Sequence, residues 1–460
     1  MNEPSHAPAA KPAREADALH RAIAGARERG ADILDLYRSD GEVMVAALEA
    51  GDPSVHEIQL GSGPFIRPSH YGVLGYFALE VDDQRVDWWV TEFPTDRVSG
   101  RGIHVMPLGP VRADVAESLR YVLTVFGDDI HHVRLVPGYK HRHVEQAIGR
   151  QDVRQGIRVA ERVTGTSPVA HGWAYAMAVE HALKISVPPA ALLERTCLAE
   201  LERLMSHLGD LAALAASTGT ITASADLYTL KEKVLRFNQA HLGHRYLRGR
   251  LEVGGGSSGP SRQLGLAAFT ADAEREFSRV RRALDHTNSF LDRLHGAGRL
   301  ADPAHLGIRV TGFVGKSAGQ VRDLRWDRPY GAYDTDLLEG LEPVGVDAPD
   351  AYGRYLVRVE EVRQSFEMLR RLDGRSAKES MVEPEPAFGT GVGFGVVEAP
   401  RGRLVYRVSV RGTAVREVRI ATPSSLNWPA VPVALAAHNI LQDFPIIDAS
   451  FSLSVAGLDL

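Results

Sequence analysis

The sequence of 460 residues contains one cysteine, Cys197. A single thiol cannot form an intrachain disulfide, and it cannot build a zinc or iron–sulfur site from thiolates. Cys197 stands among leucines at helical spacing, so we expect a buried structural thiol rather than a reactive one. The sequence therefore predicts no metal site built from thiolates of this chain.

Long apolar runs and an excess of positive charge are also absent. No stretch reaches the roughly 18 apolar residues of a membrane-spanning helix. The first residues, MNEPSHAPAAKPAREA, are polar and lack the apolar core of a signal peptide, so we expect a cytoplasmic location. The formal net charge is −5, which argues against nucleic acid as a partner because nucleic-acid binding needs a clustered positive footprint.

An apolar fraction of 44% supports a large core, and the length favours more than one folding unit. We predict a disordered lead over residues 1–15, a small α+β module over 16–102 and a main domain over 103–460. Within the module, periodicity predicts a helix over 16–38 and strands over 71–81 and 86–90. The glycine-rich stretch 254–259 lacks the Lys-Ser/Thr of a phosphate loop, so we interpret it as a linker.

The main domain alternates between β-rich and helical segments. Strands over 119–126 and 130–136 flank a Gly-Asp-Asp turn, which indicates a hairpin. Helical periodicity dominates residues 141–245, 270–298 and 351–372, and a second hairpin is predicted over 404–420, followed by a helix near 432–441. The fold class is therefore α+β, with a mainly helical core and flanking antiparallel sheets.

The stretch Glu161–Glu180 organises the main domain. It begins with a polar turn in which Ser167 is a candidate N-cap and Pro168 takes the first helical position. The helix that follows is rich in alanine. Because small side chains let a neighbouring backbone approach closely, we expect this helix to lie deep in the fold.

Twelve separated motifs then occur in a fixed order between residues 105 and 457. They are Leu108–Arg112, Lys140–Glu145, Glu161–Gly165, Ala170–Glu180, Glu200–Arg203, His207–Asp210, Gly243–Tyr246, Ser317–Gly319, Asp323–Arg325, Pro329–Tyr333, Glu398–Gly402 and Pro423–Asn427. Together they resemble the large subunit of membrane-bound nickel–iron hydrogenases of the formate-hydrogenlyase type and the related 49-kDa subunit of NADH–quinone oxidoreductase. The N-terminal module resembles, more loosely, the subunit-C-like domain that some of these large subunits carry in front.

The resemblance implies a place for a nickel–iron centre, which the family binds with two Cys-x-x-Cys pairs. These pairs fall at Thr164 and Ser167 and at Ser454 and Gly457, and none of the four is cysteine. Hydroxyls are poor ligands for a centre that prefers soft thiolates. We therefore expect no nickel–iron site in this chain, hence no hydrogenase activity of its own, and an iron–sulfur cluster in a partner subunit.

The resemblance also implies a quinone site, so quinone is a candidate ligand of a degenerate metal and quinone cavity. The family's quinone-binding His and Tyr fall at Ala116 and Gly165, and an earlier His of the same loop is replaced by Arg112. Other donors, such as His171 or Tyr175, could meet the head group.

Further polar residues match family motifs that surround the cavity. Glu145 matches an acidic proton-passing residue, Arg401 matches an arginine that overhangs the metal, and His171, His207 and Asp210 match other motif positions. The alternatives are structural. Glu145 would pair with Arg142 or Arg162, Arg401 would pair with Glu145 or Asp210, and the histidines would be hydrogen-bonded core residues.

We expect a subunit of a hetero-oligomeric, complex I-like oxidoreductase related to energy-converting hydrogenases. Such a subunit would lie peripherally on the cytoplasmic face of the cell membrane, with an iron–sulfur small subunit and antiporter-like membrane subunits as partners. It would couple electron transfer to proton or ion movement, and any association with NAD would belong to the whole complex. The alternative is a non-catalytic structural or assembly subunit that keeps only the interface to the iron–sulfur partner.

Overall fold

The computed structural model describes residues 100–112, 117–256, 265–301, 303, 310–375 and 388–460, together with six strands between residues 32 and 85. The chain divides into two compact units, Met1–Trp88 and Trp89–Leu460. Among the described helices, none is long and apolar enough to cross a membrane.

The first unit contains two antiparallel sheets of three strands. One sheet has the order β1 (Asp32–Ser39), β2 (Glu42–Leu48), β3 (Val55–Ser62), and the other has the order β4 (Ile66–Pro68), β5 (Phe77–Val81), β6 (Gln84–Arg85). The helix predicted over 16–38 is wrong in its last part, because β1 pairs with β2 there. Residues 16–31 and the strand predicted over 86–90 lie outside the described residues.

The second unit begins with an antiparallel sheet of β7 (Ile103–Leu108), β8 (Arg120–Phe126) and β9 (Asp129–Val136). Along β8 the side chains of Tyr121, Leu123 and Val125 are buried while their neighbours are not. This period of two places one face of the sheet against the core. The hairpin predicted over 119–136 is confirmed.

A helical layer follows the sheet, as the periodicity predicted. It contains α1 (Val144–Ile148), α2 (Val153–Ala160), α3 (Pro168–Leu183), α4 (Pro189–Ser217), α5 (Ile221–Leu242), α6 (Leu266–Asp285), α7 (Asn288–Leu294), α8 (Gly312–Ser317), α9 (Leu324–Asp327) and α10 (Ala351–Leu372). The long helix α4 packs against α5 and α10, and most of its residues are buried.

The stretch interpreted as a linker is partly structured, which corrects that prediction. Gly255 and Gly256 form strand β11 (Gly255–Gly256), which pairs with β10 (Leu251–Glu252). The Gly254 amide donates to Glu180 Oε1 at 2.7 Å, and Arg195 donates to the Gly255 carbonyl at 2.9 Å. Residues 257–264 lie outside the described residues.

The C-terminal part forms a sheet of β12 (Gly389–Ala399), β13 (Gly402–Gly412) and β14 (Ala414–Ala421), then α11 (Pro423–Asn427), α12 (Ala430–Ala436) and α13 (Phe444–Phe451). The predicted hairpin over 404–420 is confirmed by the pairing of β13 with β14. The helix predicted near 432–441 is shorter and ends at Ala436.

Helix α3 lies directly on strand β12, and small residues on both elements permit the contact. A Cβ placed on Gly395 would stand 1.8 Å from the Ala174 carbonyl oxygen, and one on Gly393 would stand 2.1 Å from that of Ala178. Both distances are far below van der Waals contact, so only glycine fits opposite this helix. The expectation that the alanine-rich helix lies deep in the fold is confirmed, since nearly every residue of α3 is buried.

Candidate functional site

The turn before α3 and the chain end after α13 meet at one place. A Cβ built on Gly457 would stand 3.2 Å from Cγ2 of Thr164. The Arg142 guanidinium joins the two segments, because its Nη2 donates to the Val163 carbonyl at 2.6 Å and to the Ala456 carbonyl at 3.1 Å. The two pairs of positions to which the resemblance assigns metal-binding cysteines are therefore brought together, although the pairs are far apart in sequence.

These segments enclose a small space that we call the hydroxyl cavity. It is lined by Thr164, Thr166, Ser167, His171, Ala399, Arg401, Thr422, Pro423, Ser424 and Ser454. Its volume is about 10 Å³, which is room for about one water molecule. A quinone head group does not fit in the space between these residues.

The residues at the cavity do not fit a nickel–iron centre. Such a centre needs soft thiolates, whereas Thr164, Ser167 and Ser454 present hydroxyls and Gly457 presents no side chain. Within the described part of the chain, the Thr164 hydroxyl is buried without a hydrogen-bond partner. Among the described residues, no group of three or more His, Cys, Asp or Glu side chains is placed to hold a metal ion.

Ser167 stands at the N-cap position of α3, but its side chain makes no capping hydrogen bond. The carboxylate of Glu202, from α4, accepts the Val169 amide at 2.5 Å and the Ala170 amide at 3.0 Å instead. The predicted N-cap role of Ser167 is therefore wrong, because a buried acceptor from another helix satisfies these amides. Burial raises the pKa of Glu202 to about 8, although the two amides oppose the shift.

Arg401 reaches the cavity from the turn between β12 and β13. Its guanidinium donates to Asp210 Oδ1 at 2.9 Å, Thr166 Oγ1 at 2.8 Å and Ser206 Oγ at 3.1 Å. It also donates to the Ser452 carbonyl. Of the two structural partners predicted for Arg401, Asp210 is the observed one.

His171 lines the cavity and forms a buried hydrogen-bonded pair with Tyr406 of β13. The His171 Nδ1 atom lies 2.7 Å from the Tyr406 hydroxyl oxygen. Burial, helped by the charge of Arg142, lowers the pKa of His171 to about 3, so the imidazole is neutral at physiological pH. Tyr406 belongs to none of the twelve motifs. The alternating pattern of β13 predicts that Tyr406 is buried, but it does not predict its contact with His171.

Tyr175, one turn further along α3, does not line the cavity. Its hydroxyl donates to the Val153 carbonyl at 3.0 Å, close to Gly156. Tyr175 therefore has its hydroxyl engaged by the backbone of α2, and its part in ligand binding stays a prediction. In α3 the side chain at this position points toward α2.

Glu145 is buried on α1, away from the cavity lining. Its carboxylate accepts the Ile420 amide at 2.8 Å and forms an ion pair with Arg419 at 3.1 Å. Ile420 is the strand partner of Tyr406. The predicted pairing with Arg142 or Arg162 is therefore wrong. Glu145 instead binds the backbone of β14 beside Tyr406, the partner of His171.

The guanidinium of Arg112 contacts residues of this chain, one carboxylate and two aromatic rings. Its Nη2 donates to Asp448 Oδ2 at 3.0 Å. The guanidinium also lies against the rings of Tyr121 and Phe444, 5.1 and 5.3 Å from their centroids. Arg112 does not line the hydroxyl cavity, and its part in ligand binding stays a prediction. Residue 116 lies outside the described residues.

His207 is a core residue, as the structural alternative predicted. Its Nε2 atom lies 2.7 Å from Glu361 Oε2, and burial lowers its pKa despite that carboxylate. Glu361 belongs to a group of buried charges that the motif analysis did not assign to any function. The group consists of Glu200, Arg203, Lys316, Asp323, Arg325 and Glu361. The sequence of α4 does indicate such a group, because charged residues recur at helical spacing on this otherwise apolar helix.

Known proteins resemble this chain over most of its length. The family described as respiratory-chain NADH dehydrogenase, 49 Kd subunit, matches residues 217–388. The carbon monoxide-induced hydrogenase of Rhodospirillum rubrum is 27% identical over 351 residues, which cover 75% of this chain and 96% of that protein. A D-type subunit of the NADH-quinone oxidoreductase of Salinispora tropica is 28% identical over 422 residues, which cover 81% of this chain and 95% of that protein. The chain is therefore similar to the 49-kDa subunit of respiratory-chain NADH dehydrogenase and to a hydrogenase, as its motif order predicted.

Proposed function

We propose that this chain is a peripheral subunit of a membrane-associated, complex I-like oxidoreductase that couples electron transfer to proton or ion movement without a nickel–iron site of its own. The observation that carries the proposal is the hydroxyl cavity. Two distant segments still converge as the family's metal site requires, yet they present Thr164, Ser167 and Ser454. In this proposal the two segments still meet at the position of the metal site, but hydroxyl groups stand where the family has thiolates.

Polar residues beside the cavity support a role in proton transfer. His171 is neutral and its Nδ1 atom lies 2.7 Å from the Tyr406 hydroxyl. A neutral imidazole carries one proton and one lone pair, so it can take up a proton at one ring nitrogen while it releases the proton of the other. Glu145 accepts the amide of Ile420, the strand partner of Tyr406, and we infer that it is the next member of the relay. In this proposal the relay runs from the cavity through His171 and Tyr406 to Glu145.

The partners follow from the relationship. D-type subunits of NADH-quinone oxidoreductases and a carbon monoxide-induced hydrogenase are relatives of this chain. We infer an iron–sulfur small subunit as the electron partner and antiporter-like subunits as the membrane arm, with the chain on the cytoplasmic face. Quinone, if it is the acceptor, binds outside the hydroxyl cavity, whose volume of about 10 Å³ is too small for it.

Purification of the tagged full-length chain from detergent-solubilised membranes tests this assembly. We expect an iron–sulfur protein and antiporter-like membrane proteins to co-purify in fixed ratio, as mass spectrometry would identify. Recovery of the chain alone, or with unrelated proteins, would contradict the proposal.

The relay is tested in the same complex with Glu145→Gln and Tyr406→Phe, which remove one carboxylate and one hydroxyl. We expect proton transport by the complex to fall by roughly 100-fold or more in each variant, the usual scale of a lost proton-transfer group. The exposed residues Glu339 and Tyr228 provide matched controls as Glu339→Gln and Tyr228→Phe. Intact transport in both relay variants, with the complex assembled, would instead support a non-catalytic structural subunit.

A further inference from the structure

A dense group of charges lies in the interior behind the cavity. We call it the buried charge cluster, and it consists of Glu200, Arg203, Lys316, Asp323, Arg325 and Glu361, each at most 1% exposed. Lys316 donates to Glu361 Oε1 at 2.6 Å, and Arg325 donates to Asp323 Oδ2 at 2.8 Å. Glu200 is paired with Arg325 at 3.3 Å. The three cations and three carboxylates balance one another.

Glu398 is a fourth carboxyl group in contact with this balanced set. It is 5% exposed and lies next to Ala399 in the buried last part of β12. Its backbone is held firmly, because Arg203 donates to its carbonyl at 2.7 Å and its amide donates to the Tyr330 hydroxyl oxygen at 2.8 Å. No cation of the cluster is left over to neutralise its side chain.

The side chain of Glu398 is also poorly supplied with hydrogen-bond donors. Within the described part of the chain, its carboxylate accepts the Leu324 amide at 3.3 Å. Glu200, by contrast, accepts the hydroxyls of Tyr333 at 2.5 Å and Ser365 at 2.6 Å. A buried carboxylate needs such donors or a counter-charge to stay ionised. Among the described residues, Glu398 has one long hydrogen bond from an amide and no cation of its own, so neither requirement is fully met.

We propose that Glu398 is a proton-binding site: it takes a proton from water to become a neutral carboxylic acid and releases that proton again as the carboxylate. The groups that face it are Arg203 from α4, Lys316 from α8, Asp323 and Arg325 at α9, and Tyr330. Burial raises the pKa of Glu398 to about 7, and the neighbouring charge of Asp323 adds to the shift. The site therefore changes its charge within the physiological pH range.

The position of Glu398 gives the bound proton a consequence for the cavity. Glu398 is followed in sequence by Ala399 and Arg401, which both line the hydroxyl cavity. Arg203 contacts the Glu398 and Ala399 carbonyls and Glu361. A charge change at Glu398, near the end of β12, is thus adjacent to the turn that carries Arg401. This site is a property of the folded chain and does not depend on the proposed complex.

Infrared difference spectroscopy of the full-length chain, titrated across neutral pH, tests the proposal. Protonated carboxyl groups absorb separately from carboxylates, and we expect one buried carboxyl to lose its proton with a midpoint near 7 and a second near 8, from Glu202. Glu398→Gln should abolish the first titration and keep the second. The matched variant Glu202→Gln should do the reverse.

A folded Glu398→Gln chain that retains both titrations would overturn the proposal. Should that variant fail to fold, Glu398→Asp keeps a carboxyl group at a shifted position. The proposal then requires a displaced midpoint for the first titration, and an unchanged midpoint would overturn it. Because the measurement uses the chain without its partners, its failure is distinguishable from failure of the proposed complex to co-purify.

Discussion

Arg401 illustrates how single residues hold the cavity in place. Its guanidinium donates to oxygen atoms of Asp210, Thr166, Ser206 and Ser452, which belong to segments on different sides of the cavity. Asp210 depends on this contact, since the Nε atom of a second arginine, Arg358, stands farther away, 3.8 Å from Oδ2. Arg401 is thus a structural residue of the site, whatever its role in proton transfer.

Arg401→Ala should destabilise the chain strongly. Removal of one partner leaves the buried Asp210 carboxylate without its guanidinium, which costs about 3–5 kcal/mol. Urea unfolding measures the loss. Arg411→Ala, on an exposed residue at the far end of β13, the strand that follows Arg401, should change stability by less than about 0.5 kcal/mol. Equal effects of the two substitutions would contradict this assignment.

His171 should make stability sensitive to acid. Its pKa is lowered to about 3 by burial, so below its ordinary value near 6.5 the unfolded chain binds a proton that the folded chain does not. The free energy of unfolding therefore falls as pH decreases from about 6.5 to 3, by up to about 5 kcal/mol from this residue. The stability of His171→Gln should fall less over the same range in urea titrations. An unchanged acid dependence would contradict a neutral buried imidazole.

At the scale of elements, the contact between α3 and β12 fixes the position of the turn that opens α3. The helix presents carbonyls of Ala174 and Ala178 to glycines on the strand. Cβ atoms would collide there, so the strand sequence Gly-Val-Gly-Phe-Gly is required by the helix it faces. The cavity lies at the start of this helix and the end of this strand.

Gly395→Ala should separate these two elements. The added Cβ would stand 1.8 Å from the Ala174 carbonyl oxygen, and such overpacking costs about 3 kcal/mol, the upper part of the usual range. Thermal or urea unfolding measures the effect. Gly165→Ala is the matched control, since a Cβ there has nothing within 4 Å, and its stability should stay close to that of the wild type. Comparable losses in both variants would contradict the packing argument.

Local sequence pattern predicted the elements well and their capping less well. The alanine-rich composition of α3 predicted its burial, and alternation predicted the hairpins of β8 with β9 and β13 with β14. Ser167 was misassigned because the acceptor for the first amides of α3 is Glu202, more than thirty residues later. Motif position assigned Tyr175 and Arg112 to the cavity, but it did not predict that Val153 and Asp448 engage them. Local spacing contains no information about such distant partners.

At the scale of the whole molecule, the order of motifs carried the most information. It identified the relationship to the 49-kDa subunit and to hydrogenases, and it indicated that Thr164, Ser167, Ser454 and Gly457 meet at one site. It could not give the size of that site, because the volume depends on how Arg401, His171 and Pro423 fill it. Nor could it give the balance of the buried charge cluster, which arises from side chains on α4, α8, α9 and α10.

The central claim is that the segments of the family's metal site meet in this chain but bind no nickel. Elemental analysis of the complex isolated through this chain tests that claim most directly. We expect iron from the iron–sulfur partner and only substoichiometric nickel, since hydroxyls replace the thiolates that hold nickel. One nickel per chain in the purified complex would contradict the account.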